Sequence, residues 1–519
     1  PERQMTIQSS DVQEQGINVR QNAEDFKSNL GRIYSRNNFS GGQGLDTAHR
    51  ANGTAKDTTR FWDSKGIDVF HGDDEASYNI HLLHTTAIEG LSFSNTNNYL
   101  ARTTNGDLYV TDGTTIHQST NDGVTWSSVA TGLTINYNFT GIAAVGDHIY
   151  LTTADGTSNS ELIKYDGTTW TEESTHYDSN GGLTGIWFQK GQLFISADDG
   201  ATEKVFAISP FNKTWSSSDL SSGEIITFED SHHVSQVIDA GAVVLVASTH
   251  GDIYSCKEVS GTFQLKGQTN IPFEEVHCIA AAEGQIFFGT KEFSRNVGRF
   301  YRADLTVADD LYILANRQLI KEWVIDGVDT TPKFMFVSRD SVYCGIKESG
   351  SESYLWRYYL PTAGFARDLE MGAAGFVTGI SNAGGKFIIV VSGSDVYRET
   401  STYMSEGYLM LSAADFFTAE NKQFVGAELS TNDLALNTSV DLKYTTKFED
   451  LDNPETATFT DAIIQATGVG DEEKQIAEVS RYIVGKVVLK TSDGLNTPKV
   501  KSVQFRALAR PELVVARIP

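Results

Sequence analysis

Thr140-Gly141-Ile142-Ala143-Ala144-Val145-Gly146-Asp147-His148-Ile149-Tyr150-Leu151 contains two short apolar runs joined by a turn. Glycine readily supplies the positive φ that a tight hairpin needs, and Asp tolerates it better than most residues, so the stretch reads as two antiparallel strands. The run Ile149-Tyr150-Leu151 is apolar at consecutive positions, the pattern of a strand buried on both faces. Downstream, Glu161-Leu162-Ile163-Lys164-Tyr165 alternates apolar and polar residues, the pattern of a strand with one face exposed.

The buried run recurs. It appears as Leu108-Tyr109-Val110, Leu193-Phe194-Ile195, Val244-Leu245-Val246, Ile286-Phe287-Phe288, Val342-Tyr343-Cys344 and Phe387-Ile388-Ile389, about 46 residues apart on average. The upstream strand recurs as Tyr99-Leu100-Ala101, Thr184-Gly185-Ile186-Trp187 and Thr378-Gly379-Ile380. The alternating strand returns as Asp252-Ile253-Tyr254-Ser255 and Asp395-Val396-Tyr397-Arg398. A fourth strand is marked by an aromatic residue after Thr, at Thr125-Trp126, Thr169-Trp170, Thr214-Trp215 and Thr262-Phe263. Units of this length, built from strands, are blades of a β-propeller. Seven blades of four strands is the natural count, with six or eight as alternatives. The longer spacing in the fifth unit calls for an insertion near residues 303–325. Tyr78-Asn79-Ile80-His81-Leu82-Leu83 is the candidate for completing the last blade.

Outside residues 61–412 the repeat stops. Residues 1–60 are polar, contain Gly41-Gly42-Gln43-Gly44, and offer one short helix candidate at 23–30, too little to bury a core. They read as an extended N-terminal arm. Residues 413–519 hold four strand candidates, at 424–430, 439–446, 481–491 and 499–508, separated by an acidic stretch at 449–478. That size and pattern match a β-sandwich. The fold class is therefore all-β: arm, propeller and C-terminal sandwich.

Lys plus Arg total 41 against 67 Asp plus Glu, a formal charge of −26. Such a surface repels phosphate backbones and anionic lipid, so neither nucleic acid nor membrane is expected as a partner. Aromatic residues make up 11% of the chain although apolar residues total only 39%, which argues for a folded, ring-rich core. No apolar run approaches the roughly 18 residues that span a bilayer, and residues 1–30 lack the apolar centre of a signal peptide. Cys256, Cys278 and Cys344 lack metal spacing and read as buried spectator thiols.

Chemistry-bearing motifs are scarce. Ser119-Thr120-Asn121-Asp122-Gly123-Val124-Thr125-Trp126 resembles the Asp-box of sialidases and other propellers, with Asn121 where that motif usually has Asp. The resemblance implies a structural turn in which Ser119, Asn121, Asp122, Gly123 and Thr125 organise the backbone and Trp126 packs beneath. Asp166-Gly167-Thr168-Thr169-Trp170 is a partial copy. Sialidase chemistry also needs an arginine cluster and a Tyr–Glu nucleophile pair, and Arg517-Ile518-Pro519 matches the arginine motif in letters only. No GxSxG elbow occurs. Of His232-His233, His71, His81 and His84, the pair His81 and His84 has the spacing of helical metal ligands, but residues 78–85 read as a strand, where the two point to opposite faces. The turns Asp198-Asp199-Gly200, His71-Gly72-Asp73-Asp74 and Ala154-Asp155-Gly156 do not complete a calcium loop. No catalytic residue, metal or cofactor is expected.

The flanks carry a second resemblance. Asn38-Phe39-Ser40-Gly41-Gly42-Gln43-Gly44-Leu45 and Arg60-Phe61-Trp62-Asp63-Ser64-Lys65-Gly66-Ile67-Asp68-Val69 resemble the opening of minor tail proteins of long-tailed bacteriophages. Leu442-Lys443-Tyr444-Thr445-Thr446, Arg481-Tyr482-Ile483-Val484 and Thr497-Pro498-Lys499-Val500-Lys501-Ser502-Val503-Gln504-Phe505-Arg506-Ala507 are similar to the terminal β-domain of such proteins. The resemblance implies a non-enzymatic virion protein of the tail tip or baseplate, made in the host cytoplasm. It implies multiple copies bound to other tail proteins, with the propeller displayed towards host-surface glycans. The alternative is a carbohydrate-binding or glycan-cleaving propeller, and a cellular interaction scaffold is a third reading.

Overall fold

A computed structural model describes residues 17–19, 31–43, 59–70, 72–74, 77–154, 160–174, 182–198, 202–210, 223–229, 233–414, 421–432, 434–452, 454–465, 468 and 470–509. The described residues form two units: 86–356 with 370–400, and 1–85 with 357–369 and 401–519.

The propeller has seven blades. Six are four-stranded antiparallel sheets, and in the sixth the strands Met335–Ser338, Ser341–Lys347, Ser353–Tyr359 and Gly364–Met371 continue into the short parallel strands Gly42–Gln43 and Arg60–Phe61. The second blade comprises Asn138–Val145, His148–Ala154, Ser160–Tyr165 and Trp170–Ser174, each strand hydrogen-bonded to the next. Gly146, at φ 62°, turns the first hairpin, where a side chain would be strained. The seven apolar runs all fall on second strands, and except for Phe387 their residues are buried. Their third residues occupy one register throughout: Leu100 faces Val110, Ile142 faces Leu151, Ile186 faces Ile195, and Ile279 faces Phe288. The apolar core lies between blades. Tyr109 and Ile116 pack with Ile149 and Ile163, and Phe194 and Val205 pack with Val244 and Val246. Each second strand is therefore covered on both faces, which explains its uninterrupted apolar sequence.

The seventh blade joins the two ends of the ring. Val377–Ala383, Lys386–Val391 and Asp395–Tyr403 supply three strands, and His84–Ser92 supplies the outermost. The Phe93 N–H donates to Ser394 O at 2.7 Å, and the ring of Phe93 packs with Leu108, Ile388 and Val390. The closing strand thus begins just after the expected segment at 78–83. His81–Leu82 pairs instead with Ile67–Asp68. The extra length in the fifth blade is absorbed largely by one hairpin, Gly298–Ala308 and Leu311–Trp323, because its strands simply run on. Thr214 and Trp215 lie outside the described residues.

The other unit contains a β-sandwich of two five-stranded sheets. One runs Ile17–Val19, Gly31–Arg36, Val500–Ala509, Lys422–Thr431, Asp471–Ser480. The second runs Thr460–Gln465, Thr438–Thr445, Val484–Thr491, Glu406–Met410, Asp63–Lys65. Tyr34, Phe424, Leu429, Leu442, Val487 and Phe505 belong to its core. All four expected strands of the C-terminal region are present. The acidic stretch adds Asp471–Ser480, whose mostly unburied side chains hide it from an apolar pattern. The described part of the arm is extended, and Gly31–Arg36 pairs with residues 503–508 of the same chain. The helix candidate at 23–30 and Gly44 lie outside the described residues. Residues 61–85, grouped with the propeller by sequence, belong to this unit because Asp63–Lys65 pairs with Glu406–Met410.

Asp63 fixes that pairing. Its carboxylate accepts from Gln43 Nε2 at 2.9 Å, Arg367 Nη1 at 3.1 Å and Tyr408 Oη at 2.8 Å. Removing a buried partner leaves the others unsatisfied. Asp63→Ala should therefore destabilise this unit by about 3 kcal/mol in denaturant unfolding. Phe93→Ala should lower the stability of the propeller by about 3 kcal/mol. An unchanged midpoint in either variant would contradict the corresponding contact.

Candidate functional site: the propeller channel

The first strands of six blades, with Lys333 and Phe334 just before that of the sixth, line one cavity of about 580 Å³. Each blade places a residue at the same level, two positions before the one that faces the buried run, and in blades two to seven that residue lines the cavity. The set is Asn98, Thr140, Thr184, Ser235, His277, Lys333 and Thr378. In five blades a bulge creates this position: Thr140 is the extra residue between the pairs Phe139–Thr153 and Gly141–Thr152, and Thr184, Ser235, His277 and Thr378 are placed likewise. A bulge sets two residues against one and re-aims a side chain.

Most of this ring is uncharged and tied to the blades. Asn98 Nδ2 donates to Thr111 O at 3.0 Å. Thr140 Oγ1 donates to Leu183 O at 2.7 Å, Thr184 Oγ1 to Glu203 Oε1 at 2.8 Å, and Ser235 Oγ to Ala247 O at 3.2 Å. Blades five and six depart from the pattern. His277 Nε2 lies 2.8 Å from Glu275 Oε2, and its Nδ1 lies 3.1 Å from Lys333 Nζ. One tautomer satisfies both contacts: Nε2–H donates to the carboxylate, and Nδ1 accepts from the ammonium. Burial, with the nearby Lys333 and Lys291 charges, outweighs the opposing Asp329 and pushes the His277 pKa down to about 3. Burial also lowers the Lys333 pKa, opposed by Asp329. The Lys333 ammonium sits 5.7 Å above the Phe376 ring, as does that of Lys347.

The wall contains Lys333, Arg102 and His277 and no carboxylate among its described residues. It therefore lacks the paired acids of a glycosidase and the arginine cluster of a sialidase. Carboxylates elsewhere stitch the blades. Arg299 contacts Glu274 at 2.9 Å, Glu292 at 2.9 Å and Glu322 at 2.6 Å, tying together the strands of the fifth blade. His233 meets the buried Glu203 at 3.2 Å. His81 lies 3.7 Å from Asp68, and His84 stacks on Tyr403. No group of three potential metal ligands occurs among the described residues. His71, His232, Asp155, Asp199 and Arg517 are outside them. All three cysteines are buried, and burial pushes the Cys256 thiol up to about 12.

The Asp-box-like turn lies outside the channel wall. Ser119 Oγ donates to Asn121 Oδ1 at 2.9 Å and accepts from Gly123 N–H at 3.0 Å. Asn121 Oδ1 also accepts from Thr125 N–H at 3.0 Å, and Trp126 Nε1 donates to Gly123 O at 3.1 Å. Asp122 and Gly123 both adopt positive φ. A Cβ on Gly123 would come within 2.7 Å of Ile388, so this residue must stay small. Asp122 O accepts from Arg398 Nε at 3.1 Å, linking the turn to the seventh blade. In the second turn, Asp166 accepts from Thr168 and Thr169, holding its carboxyl down at about 2.

The neutral His277 has a pH consequence. Its folded pKa lies below the unfolded value of 6.5, so its contribution to stability is present above pH 6.5 and is lost as pH falls towards about 3. His277→Gln should flatten propeller stability across that window. An identical pH profile in the variant would contradict the neutral assignment.

No protein-family model and no curated protein matches the sequence. Similar solved structures include the computationally designed Ika8 protein, YCF48 bound to D1 peptide, and the RRP9 WD40 repeats. Their TM-scores are 0.39, 0.43 and 0.43, at 14, 10 and 11% identity. The matches cover 61, 61 and 62% of this chain and 100, 99 and 99% of theirs. The propeller assignment rests on strand order, and likenesses at this level carry no argument about function.

Proposed function

We infer that the chain is a non-enzymatic structural protein of a bacteriophage tail tip or baseplate, held in the virion through its sandwich unit and displaying the propeller. One observation carries this reading. The segments that resemble tail proteins stand at opposite ends of the sequence, yet they contribute to one core: Phe39, Phe61, Ile67 and Val69 cluster with Leu442, Tyr444, Ile483, Val503 and Phe505. Two terminal resemblances of independent origin would have no reason to complete a shared domain. Tyr34 and Phe39 of the arm belong to that core, so the anchoring surface is assigned to the assembled sandwich and not to a free arm.

The reading is tested on phage particles from the host that expresses this chain, purified by density gradient and probed with antibody to the propeller. The protein should co-sediment with intact particles, with gold label confined to one end of the tail. Recovery only in particle-free fractions would overturn the assignment.

A further inference from the structure

Among the described residues, no carboxylate is in direct ion-pair contact with Lys333 or Arg102 of the channel wall, in a chain whose net charge is −26. Lys333 Nζ has a single hydrogen-bond partner among the described residues, the Nδ1 atom of an uncharged imidazole. The nearby carboxylates are engaged elsewhere: Glu275 with His277, and Asp329 with Lys291 at 3.3 Å and with the Thr331 N–H at 3.1 Å. Arg102, which lines the same cavity, is bonded to a backbone carbonyl of Asn382. In the next blade after Lys333, the Thr378 hydroxyl is shielded from solvent and has no partner, unlike the other hydroxyls of its ring. A half-buried ammonium and an orphaned hydroxyl are both costly unless something accepts or donates.

We propose that the channel is a binding site for a small oxyanion-bearing molecule, whose charged group is taken by Lys333 with Thr378 as a second donor. A carboxylate or phosphate oxygen there accepts from the ammonium, which keeps its contact to His277. His277 in turn is oriented by Glu275. Trp187, Phe188 and Phe334 in the wall give an attached organic body apolar surface to rest on. Arg102 lies further along the first strand of its blade and attracts the same class of ligand towards the channel. The proposal stands independently of the virion reading.

Isothermal titration of the full chain with acetate, inorganic phosphate and glucuronate tests it and distinguishes a planar carboxylate from a tetrahedral anion and from a sugar acid. At least one probe should bind with 1:1 stoichiometry and change Trp fluorescence. Lys333→Gln should weaken that binding by about tenfold or more. Lys347→Gln, which alters a lysine on the same Phe376 ring but outside the wall, should leave it within about twofold. Thr378→Val provides a second variant that preserves side-chain shape and should also weaken binding. The site is refuted if none of the three anions binds at about 10 mM. It is equally refuted if a probe binds wild type, Lys333→Gln and Thr378→Val alike.

Discussion

Everything in the propeller depends on one strand pairing across some 300 residues of chain. His84–Ser92 lies before the first blade, yet it hydrogen-bonds to Asp395–Tyr403 and completes the last. The outer strand of that blade is thus taken from the other end of the array. Closure also brings Leu91 and Phe93 onto Leu108, Ile388 and Val390, giving the first and seventh blades the apolar contact that every other neighbouring pair needs. With the ring closed, seven first strands surround one axis, and side chains at a single level can face a common space. The channel is a product of closure before it is a product of any residue in it.

The chemistry of that space then depends on a small local device. An extra residue in the first strand turns Thr140, Thr184, Ser235, His277 and Thr378 to equivalent places. Because the backbone treats these positions alike, a change of residue alters the channel without altering the blade. In blades five and six the ring carries imidazole and ammonium groups in place of hydroxyls, and the nearby Glu275, Lys291 and Asp329 accommodate them. The repeat supplies a frame, and departures from it supply the chemistry.

This division explains what could be read from the sequence. Runs such as Leu193-Phe194-Ile195 are buried on both faces, so burial alone writes their pattern, and the blade count follows from it. The Thr-Gly-Ile signature marked three first strands correctly. Ser235-Gln236-Val237, His277-Cys278-Ile279 and Lys333-Phe334-Met335 occupy the same register without those letters, so the ring of side chains went unread. Superposing the seven repeats on the third residue of each buried run would have exposed His277 and Lys333 as the titratable members. The closing strand was misplaced by a few residues because Ile80 and Leu82 are as buried as blade residues, although their partners lie in the other unit's core. Asp471–Ser480 was missed for the opposite reason: edge strands with exposed acidic side chains follow no apolar rhythm.

The sandwich has a sheet in which Gly31–Arg36 lies beside Val500–Ala509. On a ribosome, the first of these strands emerges hundreds of residues before its neighbour exists. Its exposed edge must wait through the synthesis of the whole array, and the closing strand at 84–92 waits until Asp395–Tyr403 has been made. The two closures are nested in the sequence like brackets, the inner one completing the propeller and the outer one the sandwich. Folding therefore finishes late, with high contact order, and chains cut short by incomplete translation lack partners for both. A nascent protein of this design presents unpaired strand edges for much of its synthesis, the condition under which incomplete chains associate through their edges.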